Sequence, residues 1–172
     1  QNRRVFRSAP GPLGSGYDTR GWLFSGDRII AELDSTGSAI SHFAYATKSN
    51  VPDLMLRNES GSWKLYRILS DQVGTVVGVV CMSASCAGGF TTGQVVEGAA
   101  PGQSPPPAYA ISAYATDFGY TYPQPQYQPF AFAGGLPDAL SYSYRFGARD
   151  YSGVLSRWLT KDRVRFAGGV NL

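Results

Sequence analysis

The side chains able to do chemistry in this chain are few and widely spread. His42 is the single histidine, so a Ser–His–Asp constellation would have to be built around it alone. It lies in the alternating run Ala39 to Tyr45 (AISHFAY), where a plain strand residue is the simpler reading, and nothing selects a serine and an aspartate to join it. Asp138, Asp150 and Asp162 raise the question of an oxygen-ligand metal site. Their neighbours are turn residues or, for Asp150, Arg149, which points to turn hydrogen bonds and ion pairs instead. Asp71 and Asp117 read the same way. Cys81 and Cys86 flank four residues, Met-Ser-Ala-Ser, and with one histidine and no other cysteine they cannot complete a four-ligand zinc site. The spacing suits a disulfide across a hairpin loop, which implies an oxidising, extracellular location; two reduced small residues are the alternative. Closing so short a loop contributes on the order of 2 kcal/mol. No cofactor and no metal are expected.

Binding chemistry is equally open to a structural reading. Trp22, Trp63 and Trp158, with many tyrosines, would serve as stacking platforms for sugars, yet the same rings suit cross-strand packing in a sheet. Asn58-Glu59-Ser60 satisfies the N-glycosylation acceptor pattern in a predicted turn, a triplet that also arises by chance.

The elements that must carry these residues are strands. The chain holds 21 Gly, 11 Pro, 11 Tyr and 9 Phe against 16% charged residues, with three Lys and three Glu. Aromatics favour half-buried pleated surfaces, and Gly and Pro punctuate them with turns, so the composition predicts an all-β fold with little helix. Short strands separated by turns follow along the chain: Gly21 to Phe24, Arg28 to Leu33, Ala39 to Tyr45, Asp53 to Arg57, Trp63 to Leu69 and Thr75 to Cys81. Residues 90–107 are small and polar and end in three prolines, which predicts a surface loop. The β pattern resumes at Ala108 to Tyr122 and again at Gln128 to Ala133. Hydrophobic content of 43% is enough for a core, and no apolar run approaches the ~20 residues of a membrane-spanning helix. A net charge of +3 without any basic run beyond Arg3-Arg4 gives no nucleic-acid footprint. Gln1 at the start and GGVNL at the end read as cuts through a longer continuous pattern.

Tyr144 to Asp162 (YRFGARDYSGVLSRWLTKD) resembles the hallmark segment of the YD-repeat, or Rhs-type, associated core, whose usual form is RFGARDYDPETGRW. The matching residues are Arg145, Phe146, Gly147, Ala148, Arg149, Asp150, Tyr151, Arg157, Trp158 and Asp162. Upstream, QPFAFAGGLPDALSYSYRFGARDY is similar to the family's QPFGFAGGLYD…RFGARDY core. YRILSDQVGTVVGVV and GDRIIAELDSTGSAISHFAY look like its preceding segments. Tyr17 to Leu23 fits the YD repeat itself, with looser echoes at Leu33 to Gly37, Ser70 to Gly74 and Thr116 to Gly119. In such a repeat Asp bonds turn amides, Gly supplies a positive φ, and the aromatic covers the next strand.

The resemblance implies successive short antiparallel strands and hairpins of a coiled sheet or hollow shell. It divides the chain into YD-repeat-like hairpins (1–89), a Gly/Pro-rich loop (90–107) and a core segment (108–172). It also implies self-cleavage near the core's end through aspartates in Asp-Pro motifs. Here Asp162 is retained, but Arg163 stands in place of the Pro and Arg165 in place of the Gly, so Asp162 is a vestigial candidate and no catalytic residue is expected. Two neighbouring arginines would hold Asp162 ionised, which does not suit an acid. The expected role is a non-catalytic secreted or cell-surface β-scaffold, a shell segment or filament subunit built by edge-strand addition. Its partners would be copies of itself or the rest of a longer YD-repeat polypeptide. The alternatives are the self-cleaving core of a YD-repeat toxin or surface protein, and an adhesin that binds glycans.

Overall fold

A computed structural model describes residues 6–10, 17–98, 127–138, 141 and 143–161 of the chain. The predicted strand over 108–122, Asp117, and Asp162 with the segment after it lie outside the described residues.

Eight strands follow one another as an antiparallel meander. They are β1 (Phe6–Pro10), β2 (Tyr17–Ser25), β3 (Arg28–Leu33), β4 (Ala39–Ala44), β5 (Leu54–Glu59), β6 (Ser62–Ser70), β7 (Val76–Cys81) and β8 (Val95–Gly98), paired in chain order. A second sheet holds β9 (Leu136–Asp138), β10 (Ser143–Phe146), β11 (Arg149–Ser152) and β12 (Arg157–Trp158), again with sequential strands adjacent. The described residues contain no α-helix, only single 3-10 turns at Ala87–Gly89 and Phe132–Gly134. The all-β expectation, built of successive hairpins, is what the chain adopts.

Period-two patterning explains why the large sheet has an inside. Phe43, Met55, Tyr66 and Cys81 stand opposite one another on β4, β5, β6 and β7, and all four are buried. One residue along, Ala44, Leu54, Arg67 and Val80 form the next rung and point to the other face. The buried rung is roofed by Phe130, which meets the Phe43 ring edge-on at 5.1 Å, and by Leu136 and Val51. Each such side chain contributes about 1.5–3 kcal/mol on full burial. The opposite face keeps Leu54, Leu56 and Trp63 about two-fifths exposed (38%, 42% and 44%), so this sheet carries apolar groups on both sides.

The sequence-level reading of the turns holds in part. Asp34 accepts hydrogen bonds from the N–H groups of Thr36 and Ser38 at 2.8 and 3.0 Å, and Gly37 takes φ +85°. Asp71 accepts from Val73 and Thr75 in the same way, with Gly74 at φ +93°. These are two of the three looser YD echoes; the third, Thr116 to Gly119, lies outside the described residues. The closer match, Tyr17 to Leu23, lies wholly inside β2 and turns nowhere, because Gly21 pairs with Phe6 and Leu33 on its two sides.

Two further expectations change. Val95–Gly98, inside the segment read as a loop, is strand β8 and pairs with β7 across a bulge. Gln128 to Ala133 is not a strand: it bends at Pro129 and runs into the turn Phe132–Gly134. Its alternating aromatics do not share one sheet face: Phe130 enters the main core, while Phe132 packs with Tyr144 in a second cluster. A positive φ at Ala133 and Gly134 (50° and 78°) produces the reversal between them.

Candidate functional site

The segment Phe130 to Trp158 joins the two sheets, and most of the motif residues lie in it. Its first device is the tight turn Ala131–Gly135, closed by Gly134 N–H to Ala131 O (3.1 Å), Gly135 N–H to Phe132 O (2.8 Å) and Ala131 N–H to Gly135 O (2.9 Å). Asn50, in the β4–β5 loop, holds this turn to the large sheet. Its Nδ2 donates to Val73 O at 2.9 Å and to Ala133 O at 2.8 Å, while Thr75 Oγ1 accepts from Ala133 N–H at 3.1 Å. Asn50→Ala removes both donated bonds and leaves two carbonyls to find other partners. A loss of about 2 kcal/mol in urea unfolding is expected.

Beyond the turn, the RFGARDY residues form the β10–β11 hairpin with Gly147 at its bend. Arg145 and Asp150 face each other across it and pair at 2.6 Å, with Arg145 Nε also donating to Gly147 O at 2.9 Å. Phe146 and Tyr151 both pack edge-on to Trp158, at 5.4 and 5.5 Å between ring centres. Arg149 lays its guanidinium 4.2 Å over the same indole, a cation–π contact. Arg157 stands exposed on β12, opposite Ser152. The side chains of Arg145, Phe146, Arg149, Asp150, Tyr151 and Trp158 thus have packing or pairing roles, while Asp162 lies outside the described residues.

Between the tip of the β2–β3 hairpin and the bend of the β10–β11 hairpin lies a cleft of about 850 Å³. Phe24, Phe43, Tyr45, Phe130, Leu136 and Phe146 form its apolar lining. Burial pushes the Tyr45 phenol well above its ordinary value, and the hydroxyl donates to Ile29 O at 2.8 Å.

The remaining candidates are dispersed. His42 is an exposed β4 residue whose ring lies tilted against Trp63 at 5.0 Å, and among the described residues no serine or aspartate side chain is bonded to it. Trp22 is buried in the core, so the three tryptophans do not make one platform. Asp150 serves Arg145 and Asp71 serves its turn. No three His, Cys, Asp or Glu side chains among the described residues gather as a metal site. Asn58 is the last residue but one of β5, opposite Trp63, with its Oδ1 accepting from Gly61 N–H at 2.9 Å. Cys81 and Cys86 are bonded, 6.1 Å apart at Cα. The loop they close is also held by Met82 N–H to Leu65 O (2.8 Å) and Cys86 N–H to Phe90 O (2.7 Å). Reducing the pair, or replacing both by Ser, should cost about 2 kcal/mol in denaturant unfolding, with the same folded-state circular dichroism.

Two hubs had no signal in the sequence. Glu59 accepts from the buried Tyr66 hydroxyl and from Ala87 N–H (2.7 Å), tying the Cys loop to β5. Asp53 accepts from the N–H groups of Ala46 (2.6 Å) and Thr47 (2.9 Å) and from the Thr47 hydroxyl. Desolvation alone would raise the Asp53 pKa, but these bonds and the Lys48 charge outweigh it and hold the carboxyl below its ordinary value. A depressed carboxylate pKa stabilises the fold above the unfolded value of 3.8. The gain is lost as pH falls through the folded value. Asp53→Asn should therefore lower stability at neutral pH, with the gap to the parent closing in strongly acidic solution, as read by thermal melts across pH.

No family profile matches the sequence, and no curated protein matches it. Solved structures do share its fold, two of them over nearly the whole chain. One is the crystal structure of TcdB2-TccC3 without the hypervariable C-terminal region, with a TM-score of 0.52 at 16% identity. The other is the crystal structure of TcdB2-TccC3, with 0.51 at 15%. Each superposition covers 99% of this chain. This chain has the all-β fold of a segment of TcdB2-TccC3. It spans 8% of the length of each chain it matches. The shell-like fold agrees with the motif carried by the β10–β11 hairpin, although sequence identity over the whole chain is low.

Proposed function

We propose that the chain is a non-catalytic, secreted β-scaffold, a wall segment that joins either the rest of a longer polypeptide or further copies of itself by edge-strand addition. The observation that carries this reading is the form of the large sheet. Its strands run in chain order from β1 at one edge to β8 at the other, and the face opposite the core exposes Leu54, Leu56, Trp63 and Leu69. Such a sheet gains from continuation, since edge strands offer unpaired backbone groups and an apolar face offers area to bury. The match to a small fraction of a much larger chain supports the same reading, as does the absorption of the RFGARDY side chains into packing.

The test is direct. Sedimentation and negative-stain microscopy of the isolated chain at rising concentration should show ordered assemblies, and a clean monomer at high concentration would count against self-addition. Secretion is supported by the Cys81–Cys86 bond. The intact mass of the isolated 18.5 kDa chain should fall two hydrogens below that of the same chain after reduction. Any further increment that an Asn58→Gln variant removes would report a glycan at that position.

A further inference from the structure

We propose that the cleft between the two hairpin tips is a peptide-docking groove. It takes a segment that offers an aromatic side chain to the floor and a carboxylate to Arg28. The inference does not depend on the assembly proposed above.

Shape comes first. At about 850 Å³ the cleft lies within the ~300–1,000 Å³ range of ligand clefts. Phe43, Phe130 and Leu136 give its floor the apolar, ring-rich character that favours another aromatic group, because offset and edge-on ring contacts add to area burial.

Charge selects the second feature. The residues lining the cleft include two arginines, Arg28 and Arg145, against one aspartate, Asp27. Arg145 is already neutralised by Asp150 at 2.6 Å. Asp27 has an interaction of its own. Among the described residues Arg28 forms no ion pair, and its guanidinium lies 5.2 Å over the Tyr45 ring. Stacking on an aromatic face positions a guanidinium while leaving its N–H fork for an incoming carboxylate.

The rims favour a peptide over an acyl chain. Ser25 and Ser49 place polar groups along the same cleft, where a peptide backbone has donors and acceptors to satisfy. No heavy atom lies within 4 Å of where a Cβ on Gly26 or Gly147 would stand, so both hairpin tips leave open space beside their main chain. An extended segment can approach there.

The test is a titration of the full ¹⁵N-labelled chain, followed by NMR. Acetyl-Phe-Glu-amide should shift the Gly26, Gly134 and Gly147 amides saturably. Acetyl-Phe-Lys-amide and acetyl-Ala-Glu-amide should each bind about fivefold more weakly or worse, the scale of one exposed ion pair or a modest apolar contact. Arg28→Glu should reverse the preference between the glutamate and lysine peptides, and Arg28→Gln should abolish it while leaving the spectrum otherwise dispersed. The proposal falls if the glutamate and lysine peptides bind alike, or if no saturable shift occurs. It also falls if dodecanoate saturates the same amides at lower concentration than the peptide, or if the parent's preference survives in both Arg28 variants.

Discussion

Phe130→Ala should destabilise the chain by about 3–5 kcal/mol, the usual cost of truncating a fully buried aromatic. Phe130 is 2% exposed and meets Phe43 edge-on, on the same rung as Met55, Tyr66 and Cys81. It is also the point at which the segment leading to the small sheet is pinned to the large one. Loss of the ring therefore does more than leave a cavity. The turn Ala131–Gly135 loses its anchor, and Leu136, which belongs to the same buried cluster, loses a neighbour. Since a domain typically has only about 5–15 kcal/mol in hand, the variant should unfold at a much lower urea concentration. Its near-UV circular dichroism should weaken before its far-UV signal, as the roof loosens over a sheet that stays paired. A variant that melts with the parent's midpoint would mean that Phe130 does not link the two sheets.

Gly134→Ala should cost about 3 kcal/mol, from a left-handed backbone and a close contact acting together. Gly134 sits at φ +78°, where an L side chain is disfavoured, and a Cβ there would stand 2.1 Å from Asn50 O. That oxygen is backbone, so no rotamer change relieves the clash. Either the β4–β5 loop or the turn must move, and movement breaks the Asn50 bonds to Val73 and Ala133. Gly26→Ala is the matching control, because its φ is +59° but nothing lies within 4 Å of the added Cβ. It should show only the backbone cost, about 1–2 kcal/mol. Equal urea midpoints for the two variants would remove the argument from close packing.

Sequence readings succeeded where a local signal coincided with a local cause. The limits Arg28 to Leu33 hold without change, since an alternating apolar run bounded by Gly26-Asp27 and Asp34-Ser35 leaves a strand no other length. Asp34 and Asp71 behave as turn residues because a short carboxylate reaches amides two and four residues ahead whatever the rest of the fold does. Gln128 to Ala133 misled for the complementary reason. Alternation of aromatics says that neighbours point apart, not that a paired strand lies between them.

The candidate site divides the same way. Arg145 and Asp150 could be matched from the motif, and their pairing follows from a two-residue bend that sets them opposite each other. Asn50, Glu59 and Asp53 could not be found, because a side-chain amide or carboxylate carries no local sign of the distant group that it will meet.

By itself, then, the sequence determined the all-β class, most strand positions, the Asp-centred turns and the resemblance to an Rhs-type core. All of these rest on patterns a few residues long. Only the tertiary structure decided that the RFGARDY side chains are spent on packing and pairing, that Asn50 fastens the glycine turn to the large sheet, and that a cleft opens beside Arg28. Those outcomes depend on the distance between segments far apart in the chain. Asn50 and Ala133, 83 residues apart, meet only because the roof folds back over the sheet.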